Sequence, residues 1–331
     1  MMEKHPLWGW IPTALVPNSP ELYCRWQWVG GHPFDAPFFD ETLRRCLSEP
    51  QNSGRYQTLS TLDSLVEMAQ SLAAVEPTAF IFHVSRCGST LLSQLLCLDQ
   101  TNIVLSEMPL LDELLFLPKR HPQLTPDQQE TYIRAVLTLV GQPRTGHEKR
   151  LFVKLDSWHA YYYDLIRRFF PTTPIVLLYR SPEAVIASQR KHRGMHAVPA
   201  LLPPYLFGLK PDEVQMLNFD AYMAQVLTYY YARFGTIADT DPRAFLLAYQ
   251  PDGTALMRDL AQHLNLSIGA AGWQAIEVRS RYHAKRGGQV FSEEAVSDPD
   301  PPYLERPRAL FEQLESRRVN RAGVPNGITA P

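Results

Sequence analysis

The sequence is short of cysteine, of charge bias and of long apolar runs. Its 331 residues hold four cysteines, Cys24, Cys46, Cys87 and Cys97, none of them in a C-x-x-C pair or grouped with histidine at zinc-site spacing. That excludes zinc modules and disulfide-dense scaffolds, and no metal is expected. Lys plus Arg number 32 against 34 Asp plus Glu, so no global field draws in a nucleic-acid backbone, and no nucleic-acid partner is expected. No stretch approaches the roughly 20 apolar residues of a spanning helix. Met1 to Pro20 lack the apolar core of a secretory signal. The expectation is a cytoplasmic protein with no membrane partner. Also absent is the G-x-x-x-x-G-K-[ST] loop of nucleoside triphosphatases, which counts against an ATPase or GTPase.

What is present is 45% hydrophobic residues, with 15 Phe, 15 Tyr and 6 Trp, enough for a large core. Residues 1–75, rich in Trp, Pro and Phe, read as an extension packed on that core, with helices near 38–47 and 60–73. Residues 76–296 alternate short apolar strands (79–84, 102–105, 151–155, 174–179 and 244–249) with helical segments such as 89–98, 157–170, 181–190 and 253–264. Continuously apolar strands alternating with helices predict an α/β fold, a doubly wound, mainly parallel sheet covered on both faces. Segments 118–150 and 191–217 interrupt the alternation and are expected to act as lids. Residues 297–331, with many prolines and charges, are expected to pack loosely.

The strongest local signal is Phe82-His83-Val84-Ser85-Arg86-Cys87-Gly88-Ser89-Thr90-Leu91-Leu92. A strand enters a tight turn and leaves as a helix, whose unpaired N–H groups and dipole favour an anion. Gly88 permits close approach, Ser89 and Thr90 offer hydroxyls, and Arg86 brings a permanent charge. The plain alternative is a strand-to-helix turn with Ser89 as cap and Arg86 at the surface. Cys87 reads as a structural thiol.

This run resembles the 5′-phosphosulfate loop of sulfotransferases, Pro-[Lys/Arg]-Ser-Gly-Thr-Thr. Arg86 falls at the basic position, Gly88 at the glycine, and Ser89 and Thr90 at the hydroxyl pair; Ser85 and Cys87 replace the usual proline and serine. Arginine in place of lysine is closest in style to the tyrosylprotein sulfotransferase branch. A second stretch, Tyr179-Arg180-Ser181 to Ala187-Ser188, resembles the family's Arg and following Ser, which hold the donor's 3′-phosphate. Tyr249 matches a tyrosine at the end of a later strand. Lys285, Arg286 and Gly287 resemble a basic segment that closes over the nucleotide, without the Asp-Trp that often follows it.

The resemblance implies a P-loop NTPase-like sulfotransferase core and 3′-phosphoadenosine 5′-phosphosulfate as co-substrate. The donor would be bound by Arg86, Cys87, Gly88, Ser89, Thr90, Arg180, Ser188, Tyr249, Lys285, Arg286 and Gly287. The implied activity is transfer to a hydroxyl or amine of a small-molecule, glycan or peptide acceptor. The alternative is a nucleotide- or phosphate-binding protein without transfer. Such chemistry needs positive charge at the leaving oxygen and a base for the acceptor's proton. Arg86 and Lys154, the latter at a strand end on the same sheet edge, are the expected cations. Glu107 is the leading base, with a helix-start carboxylate as its plain alternative. Asp156, where cytosolic sulfotransferases carry a catalytic histidine, and His159 remain open beside it.

Overall fold

The structure is a computed structural model and describes residues 5–16, 21–282 and 301–322. At its centre are five parallel strands, β4 (Pro77–His83), β5 (Asn102–Ser106), β6 (Arg150–Lys154), β7 (Ile175–Tyr179) and β8 (Ala244–Ala248), in the order β5-β6-β4-β7-β8. Phe80, Ile81 and Phe82 in β4, and every residue of β7, are buried, as strands covered on both faces must be. Each fully buried aliphatic or aromatic side chain contributes about 1.5–3 kcal/mol, so this sheet is the rigid part on which a site can be built.

The order fixes where that site lies. From β4 the chain crosses to the edge strand β5 through α3 (Ser89–Leu96). From β7 it crosses the other way to β8 through α7 (Pro182–Lys191) and α9 (Phe219–Thr240). Right-handed crossovers in opposite directions place their helices on opposite faces. α3 is joined by α10 (Gly253–His263) and α11 (Ala270–Ser280), and α9 by α12 (Glu305–Ala322). The reversal at β4 opens a crevice beyond the strand C-termini, where open α/β sheets bind ligands.

Three further strands, β1 (Trp10–Leu15), β2 (Tyr23–Trp28) and β3 (Leu59–Thr61), form an antiparallel sheet that the sequence reading did not foresee. In β2 the buried Cys24 and Trp26 alternate with less buried neighbours, and Trp26 Nε1 donates to Ser60 Oγ at 2.9 Å across to β3. α1 (Phe39–Arg45) and α2 (Leu62–Gln70) complete this segment. It is stitched to the core at α4 (Pro109–Arg120) and just beyond α5 (Pro126–Val140): Leu15 N donates to Glu113 Oε2 at 2.5 Å and Gly9 N to Gln142 Oε1 at 3.0 Å.

The stretch from Ser157, expected as one helix, begins as a 3₁₀ turn (Ser157–Tyr162) and only then becomes α6 (Tyr163–Phe169). Residues 191–217 fold into short turns and α8 (Pro211–Gln215), whereas residues 118–150 carry α5, packed against α2 and α4. The tail expected to pack loosely provides α12 instead. Phe311 and Leu314, three residues apart, lie on one face of α12; Leu314, and Leu304 just before the helix, are buried, and Glu315 accepts a hydrogen bond from Tyr179 Oη of β7. Among the described residues no helix is long and apolar enough to cross a membrane.

Candidate active site

A cavity of about 430 Å³ opens at the C-terminal end of β4, lined by the loop after β4, the ends of β5 and β6, and the chain that follows α7. Ser85, Arg86 and Gly88 have φ of +36°, +52° and +81°. These left-handed residues turn the main chain sharply ahead of α3, whose unpaired first-turn N–H groups favour an anion. Two of the three are not glycine, so the loop holds local strain of the kind seen at ligand sites.

Gly88 is required twice over. It caps α3 in the left-handed region, and a Cβ there would sit 2.6 Å from Cδ2 of Tyr249. Tyr249, just past β8, lies against the loop, and the Arg180 guanidinium sits 4.3 Å from its ring centroid. Gly88→Ala should therefore lose about 1–2 kcal/mol through the backbone alone, and displace the Tyr249 ring besides. Thermal unfolding checks this; an unchanged Tm would mean that loop and ring move apart freely.

The loop and α7 meet at the cavity wall. Arg86 Nε donates to Ser188 Oγ at 2.8 Å, and Arg180 Nη1 donates to the carbonyl of Arg86 at 3.1 Å. Burial, and then the positive charge of Arg180, push the Arg86 guanidinium below its ordinary pKa. Two cations held side by side favour an anion between or beside them. The structure thus brings Arg86, Gly88, Ser89, Thr90, Arg180, Ser188 and Tyr249 together at one cavity. Cys87 is buried and does not line the cavity, and burial pushes its thiol up to about 11. Lys285, Arg286 and Gly287 lie outside the described residues.

Glu107 lines the cavity but does not stand open to it. Its carboxylate is closed onto Lys154, Nζ to Oε1 2.5 Å, with His83 Nε2 at 3.4 Å from the same oxygen. Burial opposes ionisation here, but Lys154 and His83 outweigh it and hold the carboxyl far below the usual range. The Lys154 side chain has no exposed surface and is not among the cavity's lining residues. It stands behind Glu107 and does not reach the cavity wall. Burial lowers the pKa of His83 and favours its neutral ring; its Nδ1 accepts from Ser85 N at 3.1 Å while Nε2 donates to the Leu155 carbonyl at 2.9 Å. The ring thus buttresses the entry to the loop.

Asp156 also lines the cavity, at the end of β6. Burial raises its carboxyl to about 7; Glu107 and Asp112 push the same way, while His159 and Lys154 oppose. Asp112, Asp156 and His159 bring ligand atoms within 4.8 Å of one another. Their hydrogen bonds suit proton handling better than a cation: His159 Nδ1 accepts from Asp156 N at 3.3 Å, so the ring hydrogen sits on Nε2 and points at Asp112 Oδ1, 2.8 Å away. His159 itself is buried and does not line the cavity.

Sequence reasoning missed three participants. Asp112 was not singled out. Gln189 is fully buried, donates to Ser85 Oγ at 3.3 Å and to His196 Nε2 at 3.0 Å, and accepts from Gly194 N at 2.9 Å. It ties the 194–196 wall to the phosphate loop. His196, lowered to about 3 mainly by burial, is a neutral wall residue. The only advance signal was the density of His and Gly after α7. Of the expected lids, residues 192–196 line the cavity and residues 118–150 contribute none of its lining.

Fold and site together define an α/β protein whose β4–α3 turn and two adjacent arginines, Arg86 and Arg180, line one cavity at the sheet's carboxyl edge. No family model and no curated protein matches the chain. Solved structures similar to it include sulfotransferase STF9 from Mycobacterium avium (12% identity, 78% of this chain and 80% of that one, TM-score 0.46). Another is the sulfotransferase domain from the curacin biosynthetic pathway (15%, 73% and 99%, TM-score 0.45). A third is mouse sulfotransferase SULT7A1 complexed with PAP (11%, 78% and 90%, TM-score 0.39). None of these is a tyrosylprotein sulfotransferase, and the branch suggested by Arg86 gains nothing from them. Identities and scores of this size leave the activity to be argued from the site.

Proposed function

We propose that this chain is a sulfotransferase that moves a sulfuryl group from 3′-phosphoadenosine 5′-phosphosulfate to a hydroxyl or amine acceptor. The observation that carries the reading is the joining of Arg86, Ser188 and Arg180 at the phosphate-loop end of one cavity. One phosphate loop serves any nucleotide; a second anion-binding pair beside it suits a donor with a second phosphate. Gly88 and the N–H groups of the loop receive the 5′-phosphosulfate, and Arg180 with Ser188 the 3′-phosphate.

The base in this reading is Asp156, with Glu107 keeping Lys154 fixed behind it. A carboxyl whose pKa lies near the working pH accepts a proton far better than one held fully ionised by a lysine. As the acceptor oxygen forms its bond to sulfur, its proton passes to Asp156. The bond from sulfur to the bridging phosphate oxygen breaks, and the charge left on that oxygen meets Arg86 and the loop N–H groups. Trp158, Phe38 and Met195 line the same cavity and offer an apolar wall to the acceptor.

Calorimetric titration with 3′-phosphoadenosine 5′-phosphate, AMP and ATP tests the reading. The bisphosphate should bind much the tightest; equal binding of all three would make this a general nucleotide-binding protein. Arg180→Ala should weaken the bisphosphate about tenfold or more, as a charge-assisted contact implies, and barely change adenosine 5′-phosphosulfate. Equal losses for both ligands would mean that Arg180 does not read the 3′-phosphate.

A further inference from the structure

Asp112 occupies a place in this site that its position in the sequence does not announce. It lies in the first turn of α4, on a different element from the Asp156 turn, and its Oδ1 accepts two N–H donors: Trp158 Nε1 at 2.7 Å and His159 Nε2 at 2.8 Å. Asp156 Oδ2 is 3.9 Å from that same His159 nitrogen. With Nδ1 already accepting from Asp156 N, His159 has a single N–H to give. Two carboxylates compete for it, and distance assigns it to Asp112.

We propose that Asp112 is a positioning residue for the base: it draws the N–H of His159 onto itself, so that the Asp156 carboxylate is left available to take a proton in the cavity. The same oxygen pins the indole of Trp158, a cavity-lining residue, so the base and the wall beside it share one anchor. Asp156 is faced by Glu107 and Lys154 at the strand ends, by His159 in its own turn, by Asp112 on α4 and by Tyr230 on α9. Asp112 supplies negative charge there, and its loss would also free His159 to turn its N–H toward Asp156. Both consequences stabilise the ionised form of Asp156 and weaken it as a base. The inference rests on the assignment of Asp156 as base.

The test is NMR titration of protein carrying ¹³C-labelled aspartate, the Asp156 signal being identified by its loss in Asp156→Asn. In Asp112→Asn the Asp156 midpoint should fall by about one pH unit or more. In Asp112→Asn/His159→Phe, where the competing donor is gone, part of that fall should be recovered. An unchanged midpoint in the single variant, or no recovery in the double, overturns the proposal. Should Asp112→Asn not fold, His159→Phe alone decides: its Asp156 midpoint should hold or rise, and a fall overturns the idea. The bisphosphate titrated into the same proteins separates this from the sulfotransferase reading. Failure of the wild type to bind it sinks that reading, whatever the NMR midpoints do.

Discussion

Asp156→Asn should cut sulfuryl transfer by about 10²–10⁴-fold, the usual contribution of a positioned base, while leaving bisphosphate binding intact. Asparagine keeps the shape of the side chain and removes only its ability to take a proton. The wild-type rate should climb with pH through about 7, where Asp156 ionises; below that the carboxyl is protonated and cannot accept. The measurement is a pH–rate profile with the donor and a panel of phenols, alcohols and amines. Glu107→Gln is the counterpart. If it abolishes transfer with the fold intact while Asp156→Asn does not, Glu107 is the base and Asp156 the supporting carboxylate.

Lys154→Met should be the most damaging single change to stability. Methionine fills much of the space but leaves the Glu107 carboxylate partly buried without its cation, and breaking a buried pair from one side costs about 3–5 kcal/mol. The double variant Lys154→Met/Glu107→Gln should recover most of this. The sign of the pH dependence follows from the depressed Glu107 carboxyl. Its contribution is fully present above the ordinary glutamate value of 4.5 and is lost as pH falls below it toward the folded value. The Tm difference between wild type and Lys154→Met should therefore shrink below about pH 4.5. A difference that stays constant down to pH 3 would show that the pair contributes nothing through its charge.

The parallel sheet was legible because strands covered on both faces need unbroken apolar runs, and 79–84 or 174–179 can hardly be anything else. The β1–β3 sheet was not, because Trp10-Ile11-Pro12 and Tyr23-Cys24-Arg25-Trp26 mix bulk, proline and charge where a clean alternation would have signalled strands. α4 hid behind Pro109 and the internal Pro118, residues that normally mark a boundary. At the site, the tight turn after β4 was legible because its main-chain geometry calls for glycine and hydroxyl residues at fixed places, whereas Arg180 and Ser188 were singled out only through the resemblance to sulfotransferases. That Lys154 closes onto Glu107, with Asp156 beside them in the cavity wall, was not legible. It depends on which carboxylate a buried lysine reaches, and that is settled by β5 and β6 ending side by side, Ser106 opposite Lys154. Asp112 lay beyond reach for the same reason: α4 and the turn after β6 meet only in three dimensions.

Phe38, which precedes α1, lines the cavity, and Lys154 Nζ lies 5.5 Å from its ring centroid. A chain begun at residue 76 would keep every strand of the parallel sheet and the whole phosphate loop, yet would lose the ring against which that ammonium group rests. Compositional modularity and functional modularity thus divide this molecule at different places. The stretch that reads as an appendage is part of the vessel in which the reaction would run. Under the proposed activity, replacing Phe38 would alter the space open to an acceptor, a property more readily sought in the loops of the core.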